Sequence, residues 1–156
     1  MGGGSTFDWS VVYGEKAAAI VPVCAGTKPS SSLATKVASK NLAIWGLYST
    51  ADAAVPAQWG RDWFTWIDQS NPSYAAKTKL TLWTDASHNT TWARAFNPAT
   101  KVDGYNVYEW MLLHKRSASG STGTTPAPAP TQPTTPPPTE PVAPKPGNHL
   151  PIARTG

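Results

Sequence analysis

The chain has 156 residues, 40% of them hydrophobic and only 14% charged, with a formal net charge of +4 at pH 7. That length leaves room for one domain with a proper core, and the 13 basic residues are dispersed rather than gathered into the dense stripe a nucleic-acid partner needs. The single cysteine, Cys24, excludes an internal disulfide and any cysteine-based zinc site, and no window reaches the roughly 18 apolar residues of a membrane span. The N-terminus lacks a basic region followed by an apolar one, so no secretion signal is expected in this chain. Composition divides the sequence near Arg116: 11 of the 16 prolines lie beyond Thr125, and none of the eight tryptophans lies beyond Trp110.

The chain opens Met1-Gly2-Gly3-Gly4, which taken alone is a weak signal and reads as a flexible translation start or an expression scar. Residues 5–14 mix apolar and polar positions at helical spacing, with Phe7, Val11 and Val12 on one side and Gly14 as the stop. Ala17 to Val23 is nearly continuous apolar sequence, the mark of a strand covered on both faces. Thr27 to Ser39 is polar and serine-rich, with Leu33 and Val37 forming a weak helical face, and is expected to be a crossover containing a short helix. Asn41 to Tyr48 is the second strand, and Val55 to Ile67 the helix after it, with Pro56 in the first turn where its missing N–H costs nothing. Trp59, Trp63, Trp66 and Ile67 share one face of that helix, a spacing that suits burial against a sheet more than a carbohydrate platform.

Asn71-Pro72-Ser73 ends the helix, and Thr78 to Trp83 is the third strand. Asp52 follows the second strand and His88 lies in the polar loop after the third. In open α/β sheets functional groups collect outside the carboxyl ends of the strands, so this acid and this histidine can meet. Other candidates are weaker: Asp85 shares a loop with His88, and Asp103 is placed to cap a last helix over Lys101 to Lys115. Tyr105, Tyr108 and Leu112 mark one side of that helix, and His114 falls at its C-terminal end, where positive charge suits the dipole. Residues 117–147 are low-complexity and rich in Pro, Thr, Ala and Ser, so they bury too little to offset the entropy of ordering and are expected to be a disordered, semi-stiff linker.

The run Trp45-Gly46-Leu47-Tyr48-Ser49-Thr50-Ala51-Asp52-Ala53-Ala54-Val55-Pro56 resembles a strand-end motif of α/β-hydrolases, Trp-x-x-His-Gly-x-x-Asp-x-x-Val-Pro, and departs from it at Tyr48-Ser49. The missing glycine bears on the tightness of the turn, since only Gly takes positive φ freely. Asn89-Thr90-Thr91-Trp92 resembles the family's His-x-x-Trp segment, in which the aromatic packs beside the imidazole. Met1-Gly2-Gly3-Gly4 and Ala18-Ala19-Ile20-Val21-Pro22-Val23-Cys24-Ala25-Gly26 resemble the glycines of a Gly-x-Ser-Met-Gly-Gly-Gly elbow and the strand beyond it. The family is that of secreted bacterial esterases and of prolyl-oligopeptidase-like or dienelactone-hydrolase-like enzymes, and the likeness covers about residues 1–116.

The resemblance implies the C-terminal part of an α/β-hydrolase fold, its last three parallel strands with flanking helices, followed by the disordered tail. It implies Asp52 and His88 as triad acid and base, the backbone N–H of Met1 as an oxyanion-hole donor in an intact parent, and a serine nucleophile immediately before Met1. Neither a metal nor a cofactor is expected. The substrate is expected to be a small-molecule or polysaccharide-linked ester, the intact parent to be secreted or extracellular, and partners to include no nucleic acid and no membrane. The strand at Ala17 to Val23 would expose an edge open to self-association. Residues 148–156 resemble the opening strand of a PKD-type, immunoglobulin-like module, or are a plain tail. Two other readings are open: a carbohydrate-binding or adhesion module using exposed tryptophans, and a hydrolase whose nucleophile is Ser5 or Ser87.

Overall fold

The strand β2, Ala43–Ser49, has all seven residues buried, and the rest of the fold is arranged on its two faces. It lies between β1, Ala19–Ile20, and β3, Thr78–Trp83, in a parallel three-stranded sheet of order β1-β2-β3. The structure is a computed structural model that describes residues 1–116, the side chains of 74–76 excepted. The linker expected over 117–147 and the module remnant expected over 148–156 lie outside the described residues.

Parallel strands need crossovers, and each here carries a helix. Helix α1, Gly2–Tyr13, precedes β1; α2, Ser31–Ala38, joins β1 to β2; α3, Ala57–Ser70, joins β2 to β3. Two short helices follow, α4 at His88–Ala95 and α5 at Val107–Leu112. Alternation along β2 sorts them onto faces. Ile44 and Tyr48 join Phe7 of α1, Val37 of α2, and Trp63, Phe64 and Ile67 of α3 in one core. Ala43, Trp45 and Leu47 point the other way and join Ala95 of α4 with Val107 and Trp110 of α5.

Aromatic burial dominates both layers. Phe7 and Trp63, neither exposed at all, stack with ring centroids 4.1 Å apart, and Trp63 donates its indole N–H to the Thr27 carbonyl at 3.0 Å. At about 25 cal/mol per Å², a buried ring of 150–250 Å² contributes roughly 4–6 kcal/mol before entropy is charged against it. Two glycines allow α3 to lie close on β2. A Cβ on Gly60 would stand 2.8 Å from the Tyr48 ring, and one on Gly46 would stand 2.5 Å from the Phe64 ring.

Two expected elements are much shorter than the sequence suggests. The first strand pairs only over Ala19–Ile20, because Pro22 has no N–H to give the ladder; pairing resumes beyond it, with Leu47 donating to the Pro22 carbonyl at 3.1 Å and Cys24 donating to Leu47 at 2.9 Å. The last helix is far shorter than Lys101 to Lys115. Asp103 and Gly104 take φ of 53° and 86° in a turn closed by a Val102–Tyr105 bridge, so the backbone cannot be helical there. Asp103 is therefore no cap: Asn106 caps α5 in a reciprocal box with Glu109, and Asp103 pairs with Lys79 at 2.9 Å. Val107 and Trp110 are the buried residues of α5, whereas Tyr105, Tyr108 and Leu112 are exposed.

Arg116, the last described residue, closes this body. Its guanidinium donates to the carbonyls of Ala17 at 2.8 Å, Lys40 at 2.9 Å and Gly14 at 3.4 Å, tying the C-terminal end to the segments that lead into β1 and β2.

Candidate active site

Beyond the C-terminal ends of β1, β2 and β3 stand Cys24, Asp52 and His88 in turn. Each position follows from an apolar strand running out into small and polar residues, where the backbone is free to turn.

After β2 the chain turns at once. Thr50 donates its N–H to the Trp83 carbonyl at 2.8 Å, and Ser49 accepts the Ala51 N–H on its hydroxyl at 3.2 Å. Neither Ser49 nor Thr50 has positive φ, so this turn does not need the glycine that the family motif places there. The Asp52 side chain, 1% exposed, then organises the entry to α3. Its Oδ1 accepts from Ala54 N at 2.8 Å and Val55 N at 2.9 Å, a side-chain-made turn that hands the chain to Pro56.

That leaves Oδ2, and His88 Nδ1 lies 2.8 Å from it. Burial works to raise the Asp52 pKa. Hydrogen bonds from Val55 N–H, the His88 ring, Ala54 N–H and the Cys24 thiol outweigh it and hold the carboxyl below its ordinary value. An ionised carboxylate only accepts, so Nδ1 carries the proton and Nε2 of the neutral ring keeps a lone pair. Among the described residues, nothing hydrogen-bonds to Nε2.

His88 is not in a loop. It is the first residue of α4, capped by Ser87, whose hydroxyl accepts the Thr90 N–H at 3.4 Å. The Ser87 cap is legible in the sequence as a helix start, but the four polar residues around it mask the signal. Trp92 lies four positions on, one turn along α4, and shares with His88 the wall of the cavity described below.

Cys24 is the site residue that the sequence reading passed over. It adopts φ of 45°, a left-handed conformation costly for a side chain with a Cβ, and is 3% exposed. Its Sγ, an Asp52 carboxylate oxygen and a His88 ring nitrogen all lie within 4.8 Å of one another. Burial first, and then the Asp52 carboxylate, push the thiol up to about 12. Its only sequence signal is its place at the end of an apolar run, whereas Asp52 and His88 stand a few residues beyond theirs.

A cavity of about 400 Å³ opens on this corner, lined by Met1, Gly2 and Gly3 of the α1 end, by Val23 and Cys24, and by His88. Gly3 is required for that approach, since a Cβ there would stand 2.0 Å from the Val23 carbonyl oxygen. The first turn of α1, whose backbone N–H groups have no intrahelical partner, thus lines the same cavity as the imidazole. Ser5 and Ser87 do not line the cavity. Asp85 is taken by Arg94 at 2.8 and 3.0 Å, so it too stays away from His88. Of the tryptophans expected to pack on the sheet, Trp63 is fully buried, and Trp59 and Trp66 pack partly buried against the same core; Trp9 and Trp92 are exposed.

No protein-family description matches the chain, and no curated protein does. Among solved structures it is similar to a thermostable esterase, with TM-score 0.55 and 18% identity over 72% of this chain and 28% of that one. It is also similar to a protein described as a dienelactone hydrolase from Klebsiella pneumoniae subsp. pneumoniae MGH 78578, with TM-score 0.41 and 18% identity over 71% of this chain and 45% of that one. The chain thus spans 28% and 45% of these two proteins. At this identity the likeness to the esterase shows the fold: three parallel strands with flanking helices forming part of an α/β-hydrolase fold.

Proposed function

We propose that the chain carries the acid–base portion of a serine-type carboxylic-ester hydrolase site, with Asp52 as acid, His88 as base, and the nucleophile supplied by a segment not among these 156 residues. The observation that carries this reading is the 2.8 Å contact between His88 Nδ1 and a buried, ionised Asp52, with Nε2 left unengaged. His88 Nε2 takes the proton of the attacking serine hydroxyl and returns it to the leaving alcohol. Asp52 fixes the tautomer and stabilises the imidazolium that forms.

The oxyanion is assigned to the N-terminal end of α1. There the amide of residue 1, when in peptide linkage, and the unpaired N–H groups of the first turn meet developing negative charge. Cys24 makes a poor nucleophile in this scheme, because a buried thiol pushed up to about 12 is not ionised at neutral pH. The ester is proposed to be carbohydrate-linked and the place of action extracellular, on the strength of the Pro/Thr-rich stretch and the family resemblance. Self-association along the outer edge of β1 belongs to the same proposal.

The test is to read the coding DNA upstream of Met1 and express the extended frame. The reading expects a serine directly before Met1 that a fluorophosphonate probe labels, with labelling lost in His88→Gln. The 156-residue chain alone is expected to take no label and to hydrolyse an activated acetate ester no faster than free imidazole. An extended frame without that serine, or labelling indifferent to His88, overturns it.

A further inference from the structure

The corner formed by the three strand ends contains more than a proton relay uses. Cys24 Sγ, an Asp52 carboxylate oxygen and a His88 ring nitrogen lie within 4.8 Å of one another, on three separate segments brought together by the sheet. We propose that this triangle is a binding site for a borderline-soft divalent cation of the Zn²⁺ type, with a fourth position open to the cavity.

The donor set selects the ion. One thiolate, one imidazole and one carboxylate are the ligands Zn²⁺ takes, whereas Mg²⁺ and Ca²⁺ require six or more oxygens. Bonds of about 2.0–2.3 Å at tetrahedral angles place donors roughly 3.3–3.8 Å apart, so a triangle within 4.8 Å closes by about 1 Å at its widest side, while the Asp52–His88 side, now 2.8 Å, opens by roughly 0.5 Å as the ion replaces the proton between them.

Two of the three donors are already fixed. Asp52 is anchored through Oδ1 by the Ala54 and Val55 N–H groups, so Oδ2, now paired with His88 Nδ1, is the oxygen that turns to the ion. Cys24 is held in its left-handed conformation by its N–H on the Leu47 carbonyl. His88, with its side chain 32% exposed, supplies the adjustment. Cys24 and His88 line the cavity and Asp52 does not, so the fourth coordination position is assigned to the cavity side, which is also the route of entry. The cation displaces the thiol proton as it binds. The cysteine count sets aside every cysteine-based zinc site, and that exclusion is too broad: one thiol suffices here, because the fold adds two donors that the count cannot show.

The site does not depend on the hydrolase reading, although it bears on it. Nδ1 is the nitrogen that faces Asp52, so a cation seated there takes the place of its proton, which moves to Nε2, and with that lone pair occupied the relay is suspended.

Cobalt is the probe, added to the full chain under reducing, chelator-free conditions. One equivalent is expected to give a near-ultraviolet thiolate-to-cobalt charge-transfer band with intense tetrahedral d–d absorption, both removed by Zn²⁺. Cys24→Ser abolishes the band. His88→Gln and Asp52→Asn each weaken binding by more than the roughly 10- to 100-fold that loss of an outer hydrogen-bond partner costs. His88 is partly exposed, so its variant decides the matter even where the buried cysteine does not tolerate change. Absence of the band overturns the proposal, as does a band indifferent to His88→Gln and Asp52→Asn, which is also what an unfolded chain with one thiol gives. Failure of the hydrolase reading shows as a missing or unlabelled serine in the extended frame and leaves the cobalt result unchanged.

Discussion

Replacing Asp52 separates the two tasks of its carboxylate, because Oδ1 holds the turn into α3 and Oδ2 holds His88. Asp52→Asn keeps an oxygen for the Ala54 and Val55 N–H groups, whereas Asp52→Ala removes every acceptor. Val55 is only 7% exposed, so its orphaned N–H finds no water and costs about 1–3 kcal/mol. Ala54 is exposed, and its lost bond costs the ordinary net of about 0.5–1.5 kcal/mol. Asp52→Ala is therefore expected to lose about 1.5–4.5 kcal/mol, and Asp52→Asn only the charge-assisted share, about 0.5–1.5 kcal/mol. Urea denaturation followed by circular dichroism reads the difference, with an unchanged slope showing that the denatured state is the same. Nitrogen-15 NMR of the ring supplies the second readout. Wild type is expected as the Nδ1–H tautomer. In Asp52→Asn the amide N–H turns toward Nδ1, and the ring proton moves to Nε2, which removes the base. Equal costs for the two variants, or an unchanged tautomer, would refute the division of labour.

Gly60→Ala places a methyl 2.8 Å from the fully buried Tyr48 ring; overpacking of about 1–3 kcal/mol outweighs the ~1 kcal/mol gained in helix propensity, so the melting temperature falls, and a rise contradicts the close β2–α3 packing. Burial first, and then Lys77, hold His114 below its ordinary pKa, so the fold favours the neutral ring. Its contribution is fully present above about pH 6.5 and is lost as pH falls toward the depressed folded value. A urea midpoint that declines on acidification from that point, and a flatter profile in His114→Gln, are the expected outcomes; Asp52 adds its own loss only at lower pH, where carboxylates titrate. Cys24, buried and pushed up to about 12, is expected to resist a bulky aromatic disulfide reagent until denaturant is added, and prompt reaction in buffer would show that the thiol is neither buried nor held protonated.

The strand ends were the legible part of the site. Asp52 and His88 each follow an apolar run that stops at small or polar residues, and that pattern places a side chain at a strand tip regardless of what surrounds it. β3 was found at Thr78–Trp83 because Pro72 and Asp85 bracket its run. β1 was overextended, since hydrophobicity does not register that Pro22 interrupts a ladder while lying in an otherwise ideal strand. The last helix was overextended for a different reason: the turn at Asp103-Gly104 rests on a left-handed aspartate, whereas the Asn106-x-x-Glu109 box that truly starts α5 stands in plain view. Cys24 was missed because one thiol at the end of an apolar run resembles inert core, and only the sheet brings it to Asp52 and His88.

Arg116 grips three carbonyls on two different stretches of chain, so tension applied at the C-terminal end of the described residues does not simply unzip α5. The load passes through one planar group to the backbone ahead of β1 and of β2 and is shared between an edge strand and the central one. A protein tethered from that end would hold the corner at its strand ends steady under pull, and Arg116→Lys, with a single ammonium in place of a fork, would yield at a lower force.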